Sequence, residues 1–118
     1  LAFSNKLQRE SCLKVMRFQS FTHRTITDKA TFEAELKQVR AQGLAISNRE
    51  EYLQDVSMAA PIFDHNGDII AAIGVFDMTG QLKMEDLLVK KQKLLDTAQQ
   101  VSAQFGFKGD VNDKTNVA

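Results

Sequence analysis

The dipeptide Asn66-Gly67 stands between two apolar, β-prone stretches, residues 56–63 and 68–77. Asn-Gly is the favoured two-residue hairpin turn because both of its positions need positive φ, which these residues tolerate best. An antiparallel hairpin is therefore expected, and the turn sets its register. His65 would pair with Asp68. Ser57 would face Phe76, Ala59 would face Gly74 and Pro61 would face Ala72 on one side of the sheet. Met58 with Val75, Ala60 with Ile73 and Ile62 with Ala71 would share the other. Pro61 has no N–H to give a ladder, so it belongs at a sheet edge or a bulge.

The two faces of this hairpin differ in bulk. Val56, Met58, Ile62, Ile69, Ile73 and Val75 are large and are expected to pack under helices. Ser57, Ala59, Ala72 and Gly74 are small, with Phe63, Ile70 and Phe76 around them. Small side chains at the centre of a sheet face either admit a closely seated helix or side chain, or leave room for a ligand. The residues alone leave both readings open.

Helical periodicity supplies the cover that such a sheet needs. Ser4 or Asn5 can cap a first helix over residues 6–18, with Gln8 placed for a capping box and Leu7, Cys12, Leu13 and Met16 on its apolar side. A second helix opens at Thr27 or Asp28, repeats apolar residues at Phe32, Leu36 and Val39, and stops at Gly43, where a left-handed residue belongs. Residues 44–47 read as a short strand and residues 48–55 as a polar, acidic loop. A long last helix is expected over residues 84–105, with Leu87, Leu94, Ala98, Val101 and Phe105 in phase and Gly106 as terminator. This order gives an α+β fold, an antiparallel sheet with helices packed on one side.

A chain of 118 residues with 43% hydrophobic and 25% charged residues is one ordinary globular domain. Its 15 Lys plus Arg balance 15 Asp plus Glu, which argues against autonomous binding to nucleic acid and gives no attraction to anionic lipid. The longest apolar stretch, residues 69–76, is too short to span a bilayer, so a cytoplasmic location is expected. The apolar triplet Leu1-Ala2-Phe3 just before a helix cap reads as the tail of an earlier helix, and a piece of a longer protein is expected. Residues 1–106 form the folded part in this reading. Residues 107–118 are polar with isolated valines and are expected to be a mobile tail.

No constellation carries catalytic chemistry. The single cysteine, Cys12, rules out an internal disulfide, and its place beside Leu13 and Met16 reads as a buried structural thiol rather than a nucleophile paired with His23 or His65. Asp64 and His65 sit together at a hairpin tip with no third ligand at metal spacing. Glu50-Glu51 reads as part of a solvated loop, the Lys90, Lys91 and Lys93 cluster as a wet helix face, and the glycines are scattered. The chain is expected to be no enzyme and to need no cofactor or metal.

Several stretches in order carry a resemblance. Residues 21–27, Phe-Thr-His-Arg-Thr-Ile-Thr, resemble the "Y-T-x-x-T-I-x" segment of IclR-type bacterial transcription regulators. Residues 36–45 are similar to "L-x-x-V-R-x-x-G-Y-A". Met58-Ala59-Ala60-Pro61-Ile62-Phe63-Asp64, followed by Gly67 and Ala71-Ala72-Ile73, resembles "I-A-A-P-V-F-D-x-x-G-x-x-x-A-A-L-S-V-S". Residues 101–106 resemble the terminal "L-S-x-x-L-G".

The resemblance implies roughly the last two thirds of a C-terminal effector-binding domain. Such a domain is a GAF-like sensor on a curved antiparallel sheet, with its N-terminal part and a DNA-binding winged helix-turn-helix outside this chain. It further implies a small organic acid or sugar acid effector, self-association as a homodimer or homotetramer, DNA contact only through the absent domain, and no membrane. The family's pocket positions fall on Ser47, Ser57, Ala59, Gly74 and Phe76. Ser47 stands where Asp is frequent, Gly74 and Phe76 replace a pair of serines, and Gln54 or Asp55 replaces a glycine. The alternative is an oligomerisation module with no small ligand.

Overall fold

The computed structural model describes residues 1–110. Two helices, α1 (Lys6–Val15) and α2 (Lys29–Gln42), precede three strands, β1 (Ala45–Asn48), β2 (Val56–Phe63) and β3 (Ile69–Asp77), and two further helices follow, α3 (Met84–Leu88) and α4 (Lys91–Gln104). The strands form one antiparallel sheet in the order β1-β2-β3, with β2 central. The fold is α+β, as expected.

Along most of the hairpin the register is the expected one. Ser57 pairs with Phe76, Ala59 with Gly74 and Pro61 with Ala72. The turn itself differs. Gly67 takes φ 77°, but Asn66 does not enter the left-handed region, so the two-residue turn does not form. The Gly67 N–H donates to the Asp64 carbonyl at 2.9 Å, and the Asp64 N–H donates to the Asp68 carbonyl at 2.9 Å. The result is a three-residue loop closed by a left-handed glycine. Asp64 is the cause, because its carboxylate accepts from the Asn66 and Asp68 N–H groups at 2.9 and 3.0 Å and holds the loop in this shape.

The tip is therefore one residue out of step, and Phe63 pairs with Ile69 rather than with Ile70. A bulge between Ile62 and Phe63 restores the expected register, since Ile62 pairs with Ala71 and Ile70 is left over. Ile69 thereby moves to the face of its partner Phe63, away from the helix-covered face where the simple hairpin would place it. Pro61 lies beyond Ala45↔Ala59, the last pair with β1, so this part of β2 has only β3 beside it. That local edge accommodates its missing donor.

The helices that pack closely on the sheet are α3 and α4, both on the face that carries Val56, Met58 and Ala60. Met84, Leu87, Leu94 and Ala98 complete that core, with Leu44 beneath. The expected single last helix is broken after Leu88, where the Lys90 N–H turns to the Leu87 carbonyl, although residues 84–105 hold no Gly or Pro. The break keeps the apolar side chains of both pieces in one core. Asp28 caps α2 through the Thr31 N–H, and Gly43 ends it at φ 81°.

A second cluster joins Ala2, Leu13, Leu36 and Val39, so α1 packs on α2 rather than on the sheet. Two expectations for α1 change accordingly. It stops at Val15 rather than at residue 18, and Cys12 is exposed, as is Leu7, because only the side bearing Leu13 and Met16 finds a partner. At the far end Phe107 is buried against Phe63, with ring centroids 5.2 Å apart, and its N–H donates to the Ser102 carbonyl at 3.0 Å. Packed chain thus continues past residue 106. Residues 111–118, the remainder of the expected tail, lie outside the described residues.

Candidate functional site

The sheet face opposite α3 and α4 is not filled. Between it and α2 lies a cavity of about 360 Å³, within the usual ligand-site range of about 300–1,000 Å³. Its floor is the small-residue surface of the sheet: Ala45 and Ser47 of β1, Ser57, Ala59 and Pro61 of β2, and Ala72 of β3. Ser47 is paired with Ser57 and Ala45 with Ala59, so the two β1–β2 pairs that face the cavity carry nothing larger than a hydroxyl. Its roof is the face of α2 carrying Phe32, Glu35, Leu36 and Val39. Residues 1–3, Ile26, Glu50 and Ile69 close the sides.

These walls are held in place by specific contacts. The Arg40 Nε donates to the Ala2 carbonyl at 3.0 Å and Arg9 Nη1 to the Ser4 carbonyl at 2.9 Å, fastening the first turn beside the cavity. Phe3 meets Phe63 edge-on at 5.6 Å. The bulge that turns Ile69 onto the face of Phe63 thus places it in the wall.

Of the five expected site residues, Ser47, Ser57 and Ala59 come together on the floor. Gly74 and Phe76 share that face of the sheet but do not line the cavity, because α2 covers β1 and β2 and leaves this end of β3 open. The Phe76 side chain is 71% exposed. Gly74 instead permits close approach: a Cβ there would stand 3.1 Å from the Met58 carbonyl oxygen and 3.6 Å from the Ala59 Cβ.

Sequence reasoning missed Glu50, which was expected in a solvated loop. Its carboxyl is half-buried at the cavity, while Glu51 is exposed. The chain leaves β1 through Arg49 at φ 63°, a left-handed conformation that an arginine does not announce. The Thr22 hydroxyl donates to the Arg49 carbonyl at 2.6 Å and the Thr25 hydroxyl donates to the Glu50 carbonyl. Thr25 is fixed in turn by the Phe21 and Thr22 N–H groups at 3.0 and 2.9 Å. The Thr-x-x-Thr pattern at residues 22–25 is thus a clamp that sets Glu50 in the wall. Burial pushes the Glu50 pKa above the usual carboxylate value, and the charge of Glu35 pushes the same way, against a lowering hydrogen bond from the Asn48 backbone.

The lining is largely apolar, with two hydroxyls and two carboxylates, and holds no Lys, Arg or His side chain. Cys12, His23 and His65 are exposed on separate elements, and no group of three potential metal-ligating side chains occurs among the described residues.

The family model described as the bacterial transcriptional regulator IclR C-terminal matches residues 1–103. The HTH-type transcriptional regulator BhcR of Paracoccus denitrificans is 31% identical over 97% of this chain and 41% of its own length. KdgR of Escherichia coli, also an HTH-type transcriptional regulator, is 30% identical over 91% of this chain and 41% of its length. The chain therefore spans about two fifths of these curated relatives. The crystal structure of the C-terminal domain of E. coli KdgR superposes with a TM-score of 0.79 at 30% identity, over 91% of this chain and 65% of that one. The Thermotoga maritima IclR structure superposes with a TM-score of 0.80 at 26% identity, over 90% and 43%.

Proposed function

The chain belongs to the IclR family of bacterial transcription regulators, as part of their C-terminal domain, and from that premise we propose that it senses a small organic molecule in the cavity between the sheet and α2. Its relatives are regulators rather than enzymes. The observation that carries the proposal is the unfilled space over Ser47, Ser57 and Ala59, in a fold whose core packs on the other sheet face under α3 and α4. A bound molecule would touch the sheet floor and the α2 roof together. It would therefore favour one placement of α2 over another, and a ligand shifts only those states for which its affinity differs.

In the whole protein this shift would reach DNA through a domain outside the present chain, in a cytoplasmic homo-oligomer. No helix among the described residues is long and apolar enough to cross a membrane. The resemblance implies an organic or sugar acid as the effector, with Ser47 and Ser57 as hydroxyl partners. The test is thermal melting of the protein and of Ser57→Val with pyruvate, gluconate, benzoate and small amines. A compound that raises the midpoint of the parent and not of the variant supports sensing at this site. A flat response across the panel contradicts it.

A second reading has an observation of its own. Ile70, Phe76 and Met78 are exposed apolar side chains along or just after the edge strand β3, and such an edge suits association with another chain. Light scattering across a dilution series, with Phe76→Ser as comparison, tests this role. It is compatible with sensing.

A further inference from the structure

We propose that the cavity takes its ligand lengthwise, with a hydrogen-bonding head over Ser47 and Ser57 and a hydrocarbon tail running along β2, and that Ile69 is the residue that meets the tail. The inference rests on the sensing reading above and chooses within it: an acid with an apolar tail, not a sugar acid.

The two ends of the cavity differ in chemistry. The polar side chains of its lining are Glu35, Ser47, Glu50 and Ser57. Ser47 and Ser57 are directly paired, Glu50 follows just after β1, and the charge of Glu35 acts on Glu50, so these groups gather at one end. Pro61 lies further along β2, about 13 Å from Ser57 at the rise of an extended strand, and is paired with Ala72. Beyond that pair Ile69 stands opposite Phe63. Ile69 and Phe3 pack in one cluster with Phe63 and Phe107, and the Phe3 and Phe63 rings meet edge-on at 5.6 Å. An end wall backed in this way keeps its place when a chain lies against it.

This second end is poor in hydrogen-bonding groups. The Leu1 carbonyl accepts from the Ser4 N–H and hydroxyl at 3.1 and 2.7 Å, and the Ala2 carbonyl accepts from Arg40 Nε at 3.0 Å. Pro61 has no N–H to give. A hydroxylated chain lying here would lose its hydrogen bonds to water and regain few of them. A hydrocarbon chain gains by leaving water and finds Ala59, Pro61, Ala72 and Ile69 along its path. The polar groups then fix the orientation of the ligand, and the apolar length discriminates between ligands.

Four monocarboxylates test this by calorimetric titration at pH 7: butanoate, hexanoate, octanoate and gluconate. Gluconate has the carbon chain of hexanoate with a hydroxyl on every carbon of the tail. Hexanoate is expected to bind at least tenfold more tightly than gluconate, and affinity should rise about fourfold per methylene from butanoate to octanoate. Ile69→Thr, nearly isosteric and still β-branched, sets a hydroxyl in the end wall. It should weaken octanoate severalfold and leave butanoate unchanged. The parent series is decisive even if the variant fails to fold. Gluconate binding as tightly as hexanoate, or an affinity that is flat from butanoate to octanoate, overturns the inference and leaves the sensing reading standing. Octanoate binding unchanged in a folded Ile69→Thr protein overturns the role of Ile69. No binding by these acids, pyruvate or benzoate overturns the sensing reading itself.

Discussion

The Ser102 hydroxyl accepts the Phe63 N–H at 3.0 Å and donates to the Ala98 carbonyl at 2.8 Å, tying α4 to the last residue of β2. Phe63 sits where the hairpin register shifts and where β1 no longer runs alongside. A serine facing the sheet from a helix meets its N–H there. Ser102 is fully buried, and its main-chain carbonyl also accepts from Phe107 at 3.0 Å. One residue thus anchors the bulge, the end of α4 and the chain beyond it.

Replacing Ser102 by Ala should remove the buried hydrogen bond that the hydroxyl accepts from the Phe63 N–H, at a cost of about 0.5–1.5 kcal/mol. Urea unfolding should show a lower midpoint with an unchanged slope. A loss below about 0.5 kcal/mol would mean that a water replaces the hydroxyl.

Gly106 ends α4 at φ 85°, and a Cβ on it would come within 3.0 Å of the His65 Cβ at the hairpin tip. Gly106→Ala therefore carries two penalties, backbone strain of about 1 kcal/mol and a steric clash. The double variant with His65→Gly should recover the steric part and not the conformational part. A double-mutant cycle with no coupling would show that the tip and the helix end do not meet.

Glu50 has the opposite sign to an ordinary stabilising carboxylate. Its folded pKa is raised, so the folded state holds its proton more firmly than the unfolded chain does. The resulting penalty is fully present above the folded pKa and is relieved as pH falls through it toward the ordinary value. Glu50→Gln should therefore raise the melting midpoint at pH 7 slightly, by about 1–2 °C given the half-exposed carboxyl, and the gain should vanish near pH 4. A destabilised Glu50→Gln at neutral pH would contradict the assigned burial and repulsion.

Asp28 and Asp77 behave conventionally. The Thr31 hydroxyl and N–H hold the Asp28 carboxyl below its usual pKa, and the Thr79 hydroxyl, with the Leu82 N–H, does the same for Asp77. Their contribution is complete above the ordinary carboxylate pKa and is lost as pH falls through the lower folded values. Melting followed from pH 6 down to pH 2 should show this acid loss. Asp28→Asn and Asp77→Asn should each flatten it, and an acid limb unchanged in both would refute the assignment.

Much of this fold was legible because its signals are local. Asp28 marks a helix start by its capping side chain, Gly43 and Gly106 mark helix ends by a left-handed backbone that few residues supply, and the alternation of bulky and small residues from Val56 to Phe63 separates a packed face from an open one. The middle of the hairpin register was right although the turn was wrong, because the bulge at Ile62/Phe63 cancels the shift made by Asp64. What the sequence hides is tertiary. Nothing near Cys12 says that α1 will pack on α2 and not on the sheet, and nothing near Glu50 says that two threonine hydroxyls will turn a polar loop into a cavity wall. Ser47, Ser57 and Ala59 could be placed by strand parity, whereas Gly74 and Phe76 share that parity and still lie outside the cavity, because parity does not say where α2 stops.

The central claim is that the space between the sheet and α2 is a ligand site, and Ala59→Leu tests it most directly by filling the floor from its centre. The acid and amine panel would be screened by thermal melting against the parent and this variant. The account predicts a compound that raises the parent midpoint by several degrees and leaves that of a folded Ala59→Leu protein unmoved. An equal rise in both proteins would place the site elsewhere and contradict it.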